Sequence, residues 1–214
     1  VYGILCHIRS LWVFDSECEI TLEANPTSVE AQKFIGFKYA GINRISMGIQ
    51  SLNDRDLKKL GRLHSAKEAL DAFAIARNIF EHVSFDLIYA RQDQSISDWK
   101  SELQQALIGD LDHLSLYQLT IEEGTTFGDR YALGKLRGLP DEDQAANLYE
   151  ITQELCELNG MPAYEISNHA RAGSECKHNI VYWKYGDYAG IGPGAHGRLT
   201  IKNNRYSTEG HQHP

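Results

Sequence analysis

Three stretches of this 214-residue sequence pass from apolar runs into turns and carry a polar residue at or near that point. ITLEANP holds Glu23, INRISMGIQS holds Gln50 and VSFDLIYA holds Asp86. If the runs are parallel strands of an α/β barrel, their C-terminal ends open on one mouth, where side chains meet a ligand rather than the core. Carboxylates there accept hydrogen bonds from an ammonium group or from ribose hydroxyls, and a carboxamide both donates and accepts. Arg62, twelve residues past Gln50 and directly after Gly61, can return to the same mouth and pair with a ligand carboxylate. The set suits an amino-acid-like ligand carrying a nucleoside. Polar residues also collect at strand ends because the chain turns there, and both readings stand on these residues alone.

Three further stretches carry possible chemistry. In HNIVYW, His178 with Tyr182 and Trp183 can ligate a metal or haem iron against an apolar wall. A histidine beside aromatic rings is also a common packing residue. DYAGIGPGAHG, residues 187–197, places Gly190, Gly192, Gly194 and Gly197 where backbone can approach a ligand closely, or where tight turns are needed. It has no Lys-Ser or Lys-Thr and no strand–turn–helix frame, so it is not a phosphate loop. YEISNHA, read as a strand, puts Tyr164, Ile166 and Asn168 on one face and Glu165, Ser167 and His169 on the other. His211 and His213 form a loose pair in a tail. The cysteines Cys6, Cys18, Cys156 and Cys176 show no metal-binding spacing and read as reduced thiols of a cytoplasmic protein. No nucleophile–histidine arrangement and no H-E-x-x-H is present.

The elements that must position these residues follow from periodicity. VYGILCHIRSLW has helical spacing at Ile4, Leu5, Ile8, Leu11 and Trp12. A first strand, EITLEA, stops at Asn25-Pro26; Thr27 or Ser28 caps a helix running through VEAQKFIGFKYA to Gly41. Strand INRISMGIQ, helical NDRDLKKLG and a longer helix with Ala69, Leu70, Phe73, Ala76 and Ile79 on one side come next. Strand HVSFDLIYA and a helix capped by Ser95 or Ser97, with Trp99, Leu103, Ala106 and Leu107 as its stripe, lead to strand HLSLYQLTI. The strands read as near-continuous apolar runs with both faces covered, and the alternation of strand and helix predicts parallel pairing. Four strands by residue 121 are too few for an eight-stranded barrel and predict a partial barrel missing its beginning.

Past residue 121 a Gly-rich charged loop with a short helix precedes one long helix. Asp141 or Asp143 caps it, Leu148, Ile151, Leu155 and Leu158 form its stripe, and Gly160 ends it. MPAYEISNHA is a fifth strand. From Arg171 the chain reads as irregular, and its last dozen residues as unanchored. Residues 1–170 are therefore expected as the barrel core and 171–214 as a glycine-rich segment leading toward a further domain. The net charge of −8 argues against nucleic acid as main partner, and there is no apolar run of about 18 residues that would cross a membrane.

Taken together and in order, ITLEANP, RISMGIQSLND with LGRLH, FDLIYA, HLSLYQLTIEEGTTF, YEISNHA, HNIVYW and GIGPGAHG resemble the radical S-adenosylmethionine proteins related to oxygen-independent coproporphyrinogen III oxidase. The resemblance covers nearly all of residues 19–200, and the HNxxYW stretch is similar to the haem-chaperone branch rather than to the oxidase. It implies a partial (β/α)6 barrel with S-adenosylmethionine at the mouth. By motif match Glu23, Gln50, Arg62 and Asp86 fall on positions that contact this cofactor, and Thr120 and His196 on weaker-matching ones. His178, with Tyr182 and Trp183, becomes part of a haem-handling surface, with haem and haem-acceptor proteins as partners. The alternatives are a coproporphyrinogen oxidase that decarboxylates propionate side chains, and an inactive truncated product.

Two departures stand out. The family's C-x3-C-x2-C motif for a [4Fe–4S] cluster is absent, together with its preceding glycine-rich stretch, so the chain as given is not expected to perform radical chemistry. A chain that starts at Val1 without them is expected to be a piece of something longer, lacking the first barrel strand or strands and leaving a sheet edge open. Gln92 stands where the family has proline, which loosens that loop.

Overall fold

The computed structural model describes residues 1–109 and 111–211. In chain order the elements are α1 (Tyr2–Leu11), β1 (Thr21–Ala24), α2 (Ser28–Ala31), α3 (Phe34–Ala40), β2 (Arg44–Gln50), α4 (Asp54–Lys59), α5 (Ala66–Arg77), β3 (His82–Tyr89) and α6 (Ile96–Leu107). They continue with β4 (His113–Gln118), α7 (Thr126–Ala132), α8 (Glu142–Leu158), β5 (Asn168–Ala170), α9 (Lys177–Trp183), β6 (His196–Ile201) and β7 (Asn204–Glu209). Two compact units form, residues 1–174 and 175–214.

In the first unit β1 to β4 pair in chain order and in parallel, with helical crossovers between them. The strand–helix alternation therefore yields the mixed α/β architecture expected of it. β1 is an edge, paired only with β2 among the described residues. The fifth strand departs from expectation. Only Asn168–Ala170 joins the sheet, and it runs antiparallel to β4; the preceding YEIS bends instead of alternating. The connection from β4 to β5 runs through α7 and α8 and is long enough for either direction, so its length does not set the antiparallel pairing.

The strands are also not apolar throughout. One face carries Ile45, Met47, Ile49, Val83, Phe85, Leu87, Tyr89, Leu114 and Leu116, all buried. The other carries Thr21 and Glu23, Arg44 and Ser46, His82, Ser84 and Asp86, then His113, Ser115 and Tyr117. One face thus meets the helices, and the other is polar apart from Gly48 and Ile88 near the C-terminal ends of β2 and β3.

The core lies between the apolar face and the helices. Phe73 meets Phe85 edge-on at 5.2 Å, and Trp99 stacks on Tyr89 at 5.3 Å. The α6 stripe buries as expected, with Glu102 added to it. On α5 the buried line is Ala69, Ala72 and Ala76, while Leu70 is exposed. On α8 it is Leu148, Thr152 and Cys156, while Leu158 is exposed. Thr152 can lie in the core because its hydroxyl accepts from Trp99 Nε1 at 2.8 Å and donates to the Leu148 carbonyl at 2.7 Å. A stripe drawn from apolar residues alone misses it. The helix expected over residues 29–40 is two helices, separated by a tight turn in which the Lys33 N–H bonds the Glu30 carbonyl at 2.9 Å. The opening helix forms, but only Leu5 of it is buried; Ile4, Leu11 and Trp12 are exposed.

The second unit corrects the expectation of irregular chain. α9 is followed by a β6–β7 hairpin, in register from His196↔Glu209 to Ile201↔Asn204. Its two-residue turn, Lys202-Asn203, has both residues at positive φ, the geometry that matches strand twist. Asp187 accepts from the Thr200 N–H and hydroxyl, both at 2.8 Å. β7, expected to be part of an unanchored tail, is exposed at every residue yet fully paired. His213 lies outside the described residues.

Candidate functional site

The polar face carries Glu23 and Asp86 among the residues singled out from sequence. Glu23 is in register with Ser46, Ser46 with Ser84, and Asp86 with Ser115. Ser84 Oγ donates to Ser46 Oγ at 3.1 Å, and Ser46 Oγ donates to Asp86 Oδ1 at 3.4 Å. Burial pushes the Asp86 carboxyl up to about 6; the Ser115 hydrogen bond works against this, the negative charge of Glu23 adds to it, and Ser46 and Arg62 pull it down. Asp86 is therefore within electrostatic reach of both Glu23 and Arg62. Asp86 lies three residues inside its strand, so the mouth is deeper than a row of strand ends.

Arg62 arrives by a defined route. Asn53 caps α4 by accepting from the Arg55 N–H, and Gly61 closes the helix with φ at 75°. The Gly61 N–H bonds the Lys58 carbonyl and the Arg62 N–H bonds the Leu57 carbonyl at 2.8 Å, so the chain reverses and Arg62 comes back toward the sheet. His64 fixes the return by donating from Nε2 to the Ile49 carbonyl at 3.1 Å.

Gln50 is buried and has a φ of 73°, uncommon for a residue with a side chain. It ends a strand whose register shifts between Met47 and Gln50. Its side-chain nitrogen lies 2.7 Å from where a Cβ on Gly48 would stand. Glycine at position 48 therefore lets Gln50 fold back over the polar face. Such local strain recurs at ligand clamps.

Toward the N-terminal ends of the strands, Arg44 is buried and pairs with Glu19 at 3.4 Å. His113 shares a 2.7 Å hydrogen bond with the Tyr164 hydroxyl. Burial, with Arg44 and His169 nearby, pulls the His113 imidazole down to about 3, so it is neutral. Beside Asp86, burial raises Tyr117, and the Asp86 charge adds to this. Asn168 donates to Glu165 at the far edge of the same face.

Thr120 is exposed in the loop beyond β4, its hydroxyl on the Gln118 carbonyl at 3.3 Å, and no contact joins it to the other four residues. His196 opens β6 in the second unit. There the glycine-rich loop has a structural task. A side chain on Gly190 would strike the His196 backbone, and one on Gly197 would strike Thr208. In the same unit His178 and Tyr182 stand one turn apart on α9, with the hydroxyl 3.0 Å from Nε2 and the rings edge-on at 4.8 Å. Tyr188 packs on Tyr182 at 4.5 Å. Trp183 is 54% exposed and Tyr182 41%.

The four thiols are distributed over α1, the segment before β1, α8 and the N-cap of α9. Among the described residues no group of three or more His, Cys, Asp or Glu is placed to hold a metal ion, so the residues present do not fit an iron–sulfur cluster. They do fit a nucleoside carrying an amino acid: two carboxylates and three serine hydroxyls share one sheet face, with the Gln50 carboxamide folded toward it and the Arg62 guanidinium within electrostatic reach of Asp86.

Sequence reading missed Ser46, Ser84 and Ser115, and also Glu102. The serines were legible as the period-two alternation of RISMGIQ, HVSFDLIY and HLSLY. Glu102 was legible as a charge in phase with the apolar stripe of α6.

Comparison with known proteins agrees with this geometry. The Radical SAM superfamily model matches residues 3–106. The haem chaperone HemW of Escherichia coli is 40% identical over 203 residues, which is 94% of this chain and 52% of that protein. The mouse protein named radical S-adenosyl methionine domain-containing protein 1, mitochondrial, is 46% identical over 86% of this chain and 42% of its own length. Among solved structures, coproporphyrinogen III oxidase from Escherichia coli, described as a radical SAM enzyme, has a TM-score of 0.74 at 21% identity, covering 91% of this chain and 48% of that one. The chain thus spans about half the length of the curated relatives it matches. Fold and sequence similarity agree: this chain belongs to the radical S-adenosylmethionine superfamily, with the HemW-type haem chaperones as its relatives.

Proposed function

We propose that the polar face of the first unit binds S-adenosylmethionine, and that the protein carries haem to acceptor proteins, using His178, Tyr182 and Trp183 of the second unit. The observation that carries the first part is Asp86 on the polar sheet face, within electrostatic reach of both Glu23 and Arg62, beside Gln50 and the serine ladder. S-adenosylmethionine offers an ammonium, a carboxylate and a ribose diol. Asp86 and Glu23 are acceptors for the ammonium and the diol, Arg62 is the partner for the carboxylate, and Gln50 serves either side. In this reading Thr120 adds an outer contact. Because Asp86 is half-buried and carries a charge at neutral pH, a cationic group beside it relieves an existing penalty.

The haem part draws on the relatives named haem chaperones and on the exposed aromatic surface of α9. For Nε2 of His178 to reach iron, its bond to Tyr182 must open. The residues of this chain supply no cluster, so no radical step is assigned to it. A reducing compartment such as the cytoplasm suits its free thiols. Among the described residues no helix is long and apolar enough to cross a membrane.

The test is a haem titration followed in the Soret band, on the chain and on a form extended by the family's cluster-binding segment, each against His178→Ala. Stoichiometric binding weakened about tenfold or more by the substitution is expected. A folded, cluster-loaded protein that binds no haem would overturn the carrier reading. Loss of propionate carboxyls from a coproporphyrinogen substrate would put the oxidase in its place.

A further inference from the structure

We infer that Glu102 is a positioning residue for the candidate cofactor site, holding the turn after β2 that presents Gln50 against the turn after β3. The inference rests on the S-adenosylmethionine reading and adds to it a device outside the polar face.

Glu102 projects from α6 into the core side and is only 8% exposed. A carboxylate at that depth persists only if its lone pairs are satisfied. Oε1 accepts from the Ser51 hydroxyl at 2.7 Å, from the Leu52 N–H at 2.6 Å and from Arg91 Nη1 at 3.3 Å. Oε2 accepts from Arg91 Nη2. Arg91, 3% exposed, also donates to the Ile88 carbonyl at 2.8 Å and pairs with Asp56 at 3.0 Å. The Ser51 hydroxyl accepts in turn from the Asn53 N–H at 3.1 Å, at the cap of the helix that ends in Arg62.

One carboxylate therefore binds the turn after β2 and the turn after β3. Each turn contains a non-glycine residue in the left-handed region, Gln50 at φ 73° and Ala90 at φ 58°. Each of these is followed directly by a Glu102 partner, Ser51 in one case and Arg91 in the other. Backbone in that region persists when its surroundings over-determine it. Here a fork–fork pair plus a hydroxyl and an N–H, all on one side chain, do so. A network serving stability alone has no need to converge on the residues flanking the two unusual ones.

The test measures S-adenosylmethionine affinity by calorimetry on the form extended by the cluster-binding segment, with thermal unfolding measured in parallel. Four variants are compared: Glu102→Gln, Ser51→Ala, Gln50→Ala and the double variant Glu102→Gln/Gln50→Ala. Glu102→Gln should weaken binding about tenfold while the protein stays folded, and should cost nothing further when Gln50 is already alanine. If Glu102→Gln does not fold, Ser51→Ala removes only one link, and about a threefold loss is expected. In the unextended chain, Glu102→Gln should speed hydrogen exchange at the Leu52 and Asn53 amides. A lowered Tm with unchanged affinity, while Gln50→Ala does weaken binding, overturns the positioning role and leaves the cofactor reading intact. Unchanged affinity in Gln50→Ala itself overturns the cofactor reading, and this inference with it.

Discussion

The side-chain nitrogen of Gln50 occupies the space beside Gly48, 2.7 Å from where a β-carbon on that glycine would lie. Gly48 is not at positive φ, so alanine there meets no backbone penalty, and the obstacle is the far end of a flexible side chain. Gly48→Ala is therefore expected to fold with its Tm nearly unchanged and to push Gln50 out of place, at a rotamer cost of about 1 kcal/mol. S-adenosylmethionine affinity should fall several-fold, and a crystal structure should show the displaced amide. A large loss of Tm would mean that the close approach serves packing instead.

Asp86 gives a pH signature. Its carboxyl stands at about 6 when folded, against 3.8 ordinarily. The stability contributed by its protonated form is fully present below pH 3.8 and is lost as pH rises through about 6. The ionised residue thus costs the fold about 2–3 kcal/mol at neutral pH. Asp86→Asn should be more stable than the parent at pH 7.5 by up to that amount, and much closer to it at pH 4.5, by urea unfolding. It should also bind S-adenosylmethionine more weakly, as expected where a binding residue is kept against stability. An equal difference at both pH values would show that ionisation is not the cause.

The Trp99–Thr152 hydrogen bond joins α6 to α8 within the core. Thr152→Val keeps shape but strands the indole N–H, so it should destabilise by about 1–3 kcal/mol with no change in the denaturant slope. Urea titration of the parent and variant chains checks this. A neutral result would indicate that water or a shifted partner satisfies Trp99.

Tyr182 and His178 compete in the haem reading, because the hydroxyl engages Nε2. A bond of this kind is worth about 0.5–1.5 kcal/mol net. Tyr182→Phe should thus tighten haem binding by up to about tenfold, while His178→Ala weakens it. If both substitutions weaken binding equally, the tyrosine itself touches haem.

The four parallel strands and most helices of the first unit were legible in the sequence, and its caps were narrowed to Ser95 or Ser97 and to Asp141 or Asp143, of which the structure takes the first of each. Each follows from local rules: apolar period, capping chemistry, and glycine where the chain reverses. Rules confined to neighbours in sequence could not show three things that tertiary structure decided. Alternation puts each of Ser46, Ser84 and Ser115 on one side of its own strand, but only pairing aligns the three into one mainly polar face. Thr152 and Glu102 lie inside because partners distant in sequence, Trp99 for one and Ser51 for the other, satisfy their polar atoms. The β6–β7 hairpin forms where the sequence looks irregular because strand pairing and a two-residue turn at positive φ carry no apolar signature. Burial patterns report what meets water, whereas hydrogen-bond partners across the chain decide which polar residues can be buried.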